Sequence, residues 1–83
     1  MAQVKTHAVT IKQTLNSKFF NLGVEDVRKG RPFKYDLPDQ DEWHYVRGRH
    51  FARVFNGEIK NGRCLRTEAL YKFADAWYSG AII

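Results

Sequence analysis

Three stretches of this 83-residue chain place apolar residues at the spacing of an amphipathic helix. In the first of them, Phe20 and Val24 lie four positions apart, and lysine, glutamate and arginine side chains occupy the opposite side. Because an α-helix turns once in about 3.6 residues, such spacing forms one apolar face that packs on a neighbour. The pattern therefore predicts a mainly α fold, a small three-helix domain with helices at about residues 17–29, 41–55 and 67–79.

Short polar residues and glycines mark the ends of these helices. A polar side chain before the first turn can accept a hydrogen bond from a free backbone N–H, and glycine readily adopts the left-handed conformation that ends a helix. The residues predicted to cap the helix starts are Asn16 or Ser17, Asp39 or Asp41, and Thr67. The residues predicted to end the helices are Gly30, the pair Asn56-Gly57, and Gly80.

The apolar faces predict a core rich in aromatic side chains. Its expected members are Phe19, Phe20, Val24, Val27, Trp43, Val46, Phe51, Val54, Leu70, Phe73 and Trp77. Gly23 falls in the middle of the first apolar face, where the missing side chain favours close approach of another backbone. Arg47 lies within the apolar face of the second helix, so we expect it either to be buried against a carboxylate such as Asp26 or to point toward a partner.

The N-terminal segment, residues 1–15, is polar and rich in β-branched residues. Its loose alternation at 4–11 predicts either a short strand or a basic N-terminal arm. The remainder, 16–83, carries all three helical patterns without a repeat or a low-complexity stretch, and a chain of this length makes one small domain.

Two connecting segments are also readable. Pro32 and Pro38 cannot continue a helix, so residues 31–40 form a linker. Two Asn-Gly pairs predict a turn or hairpin at 56–65, with a short strand within 58–65.

The composition narrows the class of protein. The chain has 14 Lys and Arg residues against 9 Asp and Glu, a net charge of +5, which suits RNA, DNA or an acidic protein surface. Its one cysteine, Cys64, excludes an intrachain disulfide and a cysteine metal cage, and is typical of a reducing compartment. The sequence has neither a signal-peptide pattern nor a membrane-spanning run, so we expect a cytoplasmic protein without membrane association.

Patterns for catalysis and metal binding are not found in the sequence. His7, His44 and His50 are too scattered for zinc ligands, since two ligands on one helix need a spacing of three or four residues. Cys64 has no histidine base placed beside it. We therefore expect a non-enzymatic protein with no metal and no cofactor.

The basic residues are the strongest functional candidates. Lysine and arginine bind phosphates, and the nearby aromatic rings of Phe33, Tyr35, His44 and Tyr45 could stack on unpaired bases. The residues predicted to bind nucleic acid or another partner are Arg28, Lys29, Arg31, Lys34, Tyr35, Arg47, Arg49 and Arg53. The alternative interpretation is a solvated charged surface.

The order of glycines and aromatic residues between about 20 and 55 resembles that of the ribosome modulation factor family. The matching positions are Gly23, Gly30, Arg31, Tyr35, Trp43, Gly48 and Ala52. Members of that family are small, basic, mainly helical proteins that bind the small ribosomal subunit. The resemblance therefore implies RNA or the ribosome as the partner.

Two other interpretations stay open. The chain is also similar in style to small accessory proteins of bacteriophages, which implies an inhibitor that binds a host or defence protein. Tyr35, Trp43 and Tyr45 would then anchor an interface with an acidic host protein. The third interpretation is a homodimer in which the helices of two copies complete each other's small cores.

Overall fold

The computed structural model describes residues 10–82, and most of these residues are helical. The elements in chain order are α1 (Ile11–Asn16), α2 (Lys18–Arg28), α3 (Asp39–Val54), β1 (Lys60–Asn61), β2 (Cys64–Leu65) and α4 (Thr67–Ser79). The prediction of a mainly α fold is confirmed, and the three long helices lie within two residues of their predicted bounds. In the part of the chain that the structure describes, no helix is long and apolar enough to cross a membrane.

Helix α1 lies where the sequence predicts a strand or an extended arm. Thr10 caps it by accepting a hydrogen bond from the Gln13 N–H, while the Gln13 side chain accepts one from the Thr10 N–H. This reciprocal capping box favours a helix over a strand, and the fully buried Leu15 fixes the helix to the core. The prediction of extended structure is therefore wrong from Ile11 onward, and residues 4–9 of the predicted strand lie outside the described residues.

The start of α2 is as predicted, whereas that of α3 differs. The hydroxyl of Ser17 caps α2 by accepting a hydrogen bond from the Phe20 N–H. Helix α3 begins directly after Pro38, so neither Asp39 nor Asp41 caps it. Both aspartates lie instead in its first turn, where negative charge interacts favourably with the helix dipole.

Helix α4 contains Thr67 as its first residue rather than as its cap. Arg66 takes the cap position, because its backbone is extended while its carbonyl accepts the first hydrogen bond of the helix, from the Leu70 N–H at 3.2 Å. The predicted helix ends at Gly30 and Gly80 are confirmed. Both glycines have positive φ, and backbone hydrogen bonds close the last turn around each of them.

A hairpin follows α3, as the Asn-Gly pairs predict. Strands β1 and β2 pair antiparallel, with Lys60 opposite Leu65 and Asn61 opposite Cys64. The first residue of the two-residue turn, Gly62, has a φ of 68°. Positive φ at this position alone is the pattern of a type II′ turn, which matches the twist of paired strands.

Three phenylalanine rings form the centre of the core. Phe20, Phe51 and Phe73 come from α2, α3 and α4, and their ring centroids lie 5.4, 5.5 and 5.8 Å apart. Of the other predicted core residues, Val24 is buried, and Val27, Val54, Leu70 and Trp77 pack at the edge. The buried cluster also contains Leu15, Ala52, Ile59, Ala69, Ala76 and Ile82. The core prediction is wrong for Phe19, Trp43 and Val46, which are half-buried and outside this cluster.

Helices α2 and α3 cross in backbone contact at Gly23 and Gly48. A Cβ atom on Gly23 would overlap the carbonyl of Tyr45 and would lie 3.0 Å from the backbone nitrogen of Arg49. A Cβ atom on Gly48 would overlap the carbonyl of Phe20. The close approach predicted at Gly23 is therefore confirmed, and it involves a glycine on each helix.

The large apolar residues of α3 predict that the side with Trp43 and Val46 is buried, but another side of the helix faces the core. The crossing with α2 explains this difference. Gly48 and Ala52 are small, so α2 can approach the side of α3 on which they lie, together with Tyr45. Tyr45 is fully buried on that side. Trp43 and Val46 point away from it and stay partly exposed.

We expect Gly23→Ala to lower the free energy of unfolding by about 3 kcal/mol, because the added methyl group meets backbone atoms that cannot rotate away. Gly80→Ala is the control: Gly80 is in the left-handed helical conformation and its Cβ would meet nothing within 4 Å, so the variant should lose only about 1 kcal/mol through its positive φ. Urea denaturation measures both. Equal losses in the two variants would contradict the close crossing.

Candidate nucleic-acid interface

A buried carboxylate, Asp26, joins α2 to α3. It is 2% exposed, and it accepts hydrogen bonds from the Tyr45 hydroxyl at 2.7 Å and from the Arg31 guanidinium at 3.2 Å. The Tyr45 hydrogen bond and the nearby Arg31 hold the pKa of Asp26 below its ordinary value, although burial opposes them. Asp26 is therefore ionised in the folded protein, with a donor on each oxygen.

Arg49 extends this network from the helix crossing to the linker. Its guanidinium donates to the hydroxyl oxygen of Tyr45 and to the backbone carbonyl of Arg31, both at 3.3 Å. The same guanidinium lies 5.4 Å from the ring centroid of Phe33, within the range of a cation–π interaction. Arg49 is therefore held by a hydroxyl, a carbonyl and an aromatic face.

The linker between α2 and α3 presents an aromatic pair on this network. The ring of Phe33 packs edge-on against Tyr45 at 5.3 Å and lies 4.8 Å from the ring of Tyr35. Tyr35 is 83% exposed. We call the surface formed by Arg31, Phe33, Lys34, Tyr35 and Arg49 the linker face. It combines the exposed ring of Tyr35 with Lys34, which precedes it in the sequence, and with Arg49, which lies against the ring of Phe33.

The structure gives Arg28 and Lys29 other contacts. Arg28 donates to the carbonyls of Phe55 and Gly57, at 3.0 and 2.8 Å, just after the end of α3. Lys29 forms an exposed ion pair with Glu25 at 3.6 Å. Both basic residues line an open groove of about 390 Å³ between α2 and the segment that leads into β1.

Arg47 and Arg53 do not belong to the linker face. Arg47 projects from the side of α3 opposite Arg49, since two residues span about 200° of a helix. Its guanidinium lies 4.5 Å from the ring centroid of Trp43. Of the two alternatives for Arg47, the pair with Asp26 is wrong, because Asp26 binds Tyr45 on the other side of α3. The alternative in which Arg47 points toward a partner stays a prediction. Arg53 is exposed and has no hydrogen bond or ion pair with any described residue.

The network of Asp26, Tyr45 and Arg49 is the part of this site that the helical patterns do not predict. Tyr45 and His44 appear in the sequence as stacking candidates, but both are buried and cannot stack on a base. A signal for the network does exist in the sequence. Asp26 lies three residues after Gly23 and Tyr45 three residues before Gly48, which is one helical turn from the crossing in each helix.

Two histidines flank Arg47 on α3. The Nδ1 atoms of His44 and His50 are buried and have no partner in the described part of the chain. Burial lowers the pKa of both imidazoles, and the charge of Arg47 lowers it further, while Asp41 raises that of His44. Between residues 10 and 82, no three His, Cys, Asp or Glu side chains come together as a metal site requires.

We expect Tyr45→Phe to lower the free energy of unfolding by about 2 kcal/mol, since a hydrogen bond to a charged group contributes about that much. The variant should also raise the pKa of Asp26. The stabilisation by Asp26 is complete above its unfolded pKa and is lost as the pH falls through its lower folded pKa. Acid unfolding, followed by circular dichroism, should therefore begin at higher pH.

Tyr71→Phe is the control for this substitution, because Tyr71 is 74% exposed and makes no side-chain hydrogen bond with a described residue. It should leave both measurements unchanged. Equal effects at the two tyrosines would contradict a structural role for the Asp26 network.

We expect the protein to lose stability as the pH falls below about 6.5, the unfolded pKa of histidine. His44 and His50 bind protons more weakly in the folded state, so their contribution is complete above that value and is lost as the pH falls through their folded pKa values. Replacing both by glutamine should flatten this part of the stability curve in urea denaturation. If the free energy of unfolding of the double variant still fell with pH in this range, titratable groups other than His44 and His50 would be responsible.

Comparison with known proteins does not indicate a function for this site. Comparisons of the chain with protein-family models, with curated proteins and with solved structures give no match. The resemblance to the ribosome modulation factor family therefore stays a prediction. Any function has to rest on the residues of the chain itself.

Proposed function

We propose that this protein binds single-stranded RNA through the linker face. The observation that carries the proposal is the exposed ring of Tyr35, which lies on Phe33 beside a cation held in place by the fold, Arg49. Unpaired bases stack on exposed aromatic rings, and the phosphates between them pair with nearby lysine and arginine side chains.

The fold supports this proposal because its contacts already order the linker face in the free protein. The linker would be a flexible chain if its side chains were free, and ordering it on binding would cost affinity. Arg49 donates to the Arg31 carbonyl, and Phe33 packs on the buried Tyr45. Tyr35 is therefore the outermost of three aromatic rings in contact, and the innermost ring, that of Tyr45, is fully buried.

The number of phosphate contacts depends on how many lysine and arginine side chains near the linker are not already paired with a carboxylate. Arg31 pairs with Asp26 and Glu25, and Lys29 also pairs with Glu25. Lys34 has no hydrogen bond or ion pair with a described residue. Arg49 uses only Nη1 in its two hydrogen bonds and has no carboxylate partner among the described residues. Within the linker face, Lys34 and Arg49 are therefore the cations whose charge is most available to RNA, and we expect about two phosphate contacts.

Ribosomal RNA is one specific form of this proposal, in keeping with the family resemblance. Its loops present unpaired bases of the kind that an aromatic ring can stack on. The proposal is non-enzymatic: Tyr35, Lys34 and Arg49 bind and orient a strand, and no bond in the strand changes.

We expect Tyr35→Ala to weaken binding of a labelled ten-nucleotide oligouridine by roughly 5- to 150-fold, since stacking of one base contributes about 1–3 kcal/mol. Lys34→Ala should reduce the dependence of affinity on salt. With about two phosphate contacts on a single strand, the log–log slope should be near −1.4, and losing one contact should halve it. Fluorescence anisotropy at several salt concentrations measures both quantities.

The matched control is the neighbouring pair Tyr71 and Lys72 on α4, which are also an exposed tyrosine next to an exposed lysine. Tyr71→Ala and Lys72→Ala should leave the affinity and the slope unchanged. Salt-independent binding, or equal losses in the control pair, would contradict the linker face as the RNA site.

A further inference from the structure

Arg47 lies on a pair of tryptophans on the side of α3 away from the linker face. Its guanidinium is 4.5 Å from the ring centroid of Trp43, and the ring of Trp43 is 6.1 Å from that of Trp77 on α4. All three side chains are half-buried, so each keeps some exposed area. We call Trp43, Arg47 and Trp77 the Trp–Arg surface.

This arginine has no counter-ion among the described residues. Its Nε atom is buried and unpartnered, and its one hydrogen bond there is a long one, 3.4 Å from Nη1 to the Trp43 carbonyl. Burial lowers the pKa of Arg47, and no carboxylate opposes that effect. A partly buried charge without a counter-ion destabilises a protein, and the cation–π contact with Trp43 offsets only part of that cost. The position of Arg47 is therefore not explained by the stability of the fold.

We propose that the Trp–Arg surface binds a carboxylate on a protein partner. Tryptophan and arginine are the residues that most often dominate the energy of protein interfaces, where surrounding rings exclude water from a central polar contact. The guanidinium can donate two parallel hydrogen bonds to one carboxylate. A glutamate or aspartate between apolar side chains would supply both the missing counter-ion and the cover for the two rings.

The surrounding charge favours a single carboxylate over a nucleic acid. The first turn of α3 carries Asp39, Asp41 and Glu42, immediately before Trp43 in the sequence. These carboxylates would repel a polyanionic backbone that ran across them. A partner with one acidic side chain among apolar ones avoids most of that repulsion. This proposal concerns another side of α3 and does not depend on RNA binding at the linker face.

The test uses two capped tripeptides, acetyl-Leu-Glu-Leu-amide and its glutamine counterpart, titrated into the 83-residue chain. We expect the glutamate peptide to shift the NMR signals of the Trp43 and Trp77 indole N–H groups and of the Arg47 Nε–H group in a saturable way. The glutamine peptide should bind at least tenfold more weakly. Equal affinities, or no saturable shift at these three groups, would overturn the proposal.

Arg47→Gln and Arg53→Gln remove the same charge from the same helix, and Arg53 is exposed. We expect Arg47→Gln to abolish the preference for glutamate and Arg53→Gln to keep it. Equal losses in both would show that only the overall charge matters, and would overturn the proposal. Saturable shifts of the same signals with oligouridine but not with the glutamate peptide would also overturn it.

A stability measurement separates binding from a structural role. Because Arg47 has no counter-ion between residues 10 and 82, and methionine can still pack on the Trp43 ring, Arg47→Met should keep or raise the melting temperature while abolishing the preference for the glutamate peptide. A large fall in melting temperature would show that Arg47 holds the fold together, and would overturn the proposal.

Discussion

The backbone contact between α2 and α3 is the constraint on which the rest of the structure depends. Two helices that meet at Gly23 and Gly48 are closer than two helices with side chains between them could be. At this distance, a polar group one turn from the crossing can reach the facing helix directly. Asp26 and Tyr45 do so at 2.7 Å, and Tyr45 in turn positions Phe33 and the guanidinium of Arg49.

Helix α3 separates two surfaces of different chemistry. The side that faces α2 carries Tyr45 and Arg49 and supports the linker. The other side carries Arg47 on Trp43, next to Trp77 of α4. Two arginines only two positions apart in the sequence therefore have different surroundings, because the helix directs them to opposite sides. The number and order of basic residues in the sequence do not show that these two arginines lie on different surfaces.

The sequence predicts the helices well and their orientation less well. Apolar spacing locates α2, α3 and α4 because periodicity is a local property. Which face of α3 is buried depends instead on which helix packs against it. Helix α2 packs on the side with the small residues Gly48 and Ala52 rather than on the side with the large Trp43. The contacts of Arg28 and Arg49 with carbonyls at 27 and 18 residues' separation are tertiary too. A basic residue has the same sequence signature whether it binds a carbonyl or faces a partner.

The contrast between Asp26 and Arg47 indicates which buried charge serves the fold. Both are removed from water to some extent, and both would be costly without partners. Asp26 has a donor on each oxygen and a lowered pKa, as a carboxylate does when the structure stabilises its charge. Arg47 has a lowered pKa and an unpartnered Nε, so its charge is destabilised. The contacts of the described residues therefore account for the charge of Asp26 and leave that of Arg47 without a counter-ion, which the proposed carboxylate partner would supply.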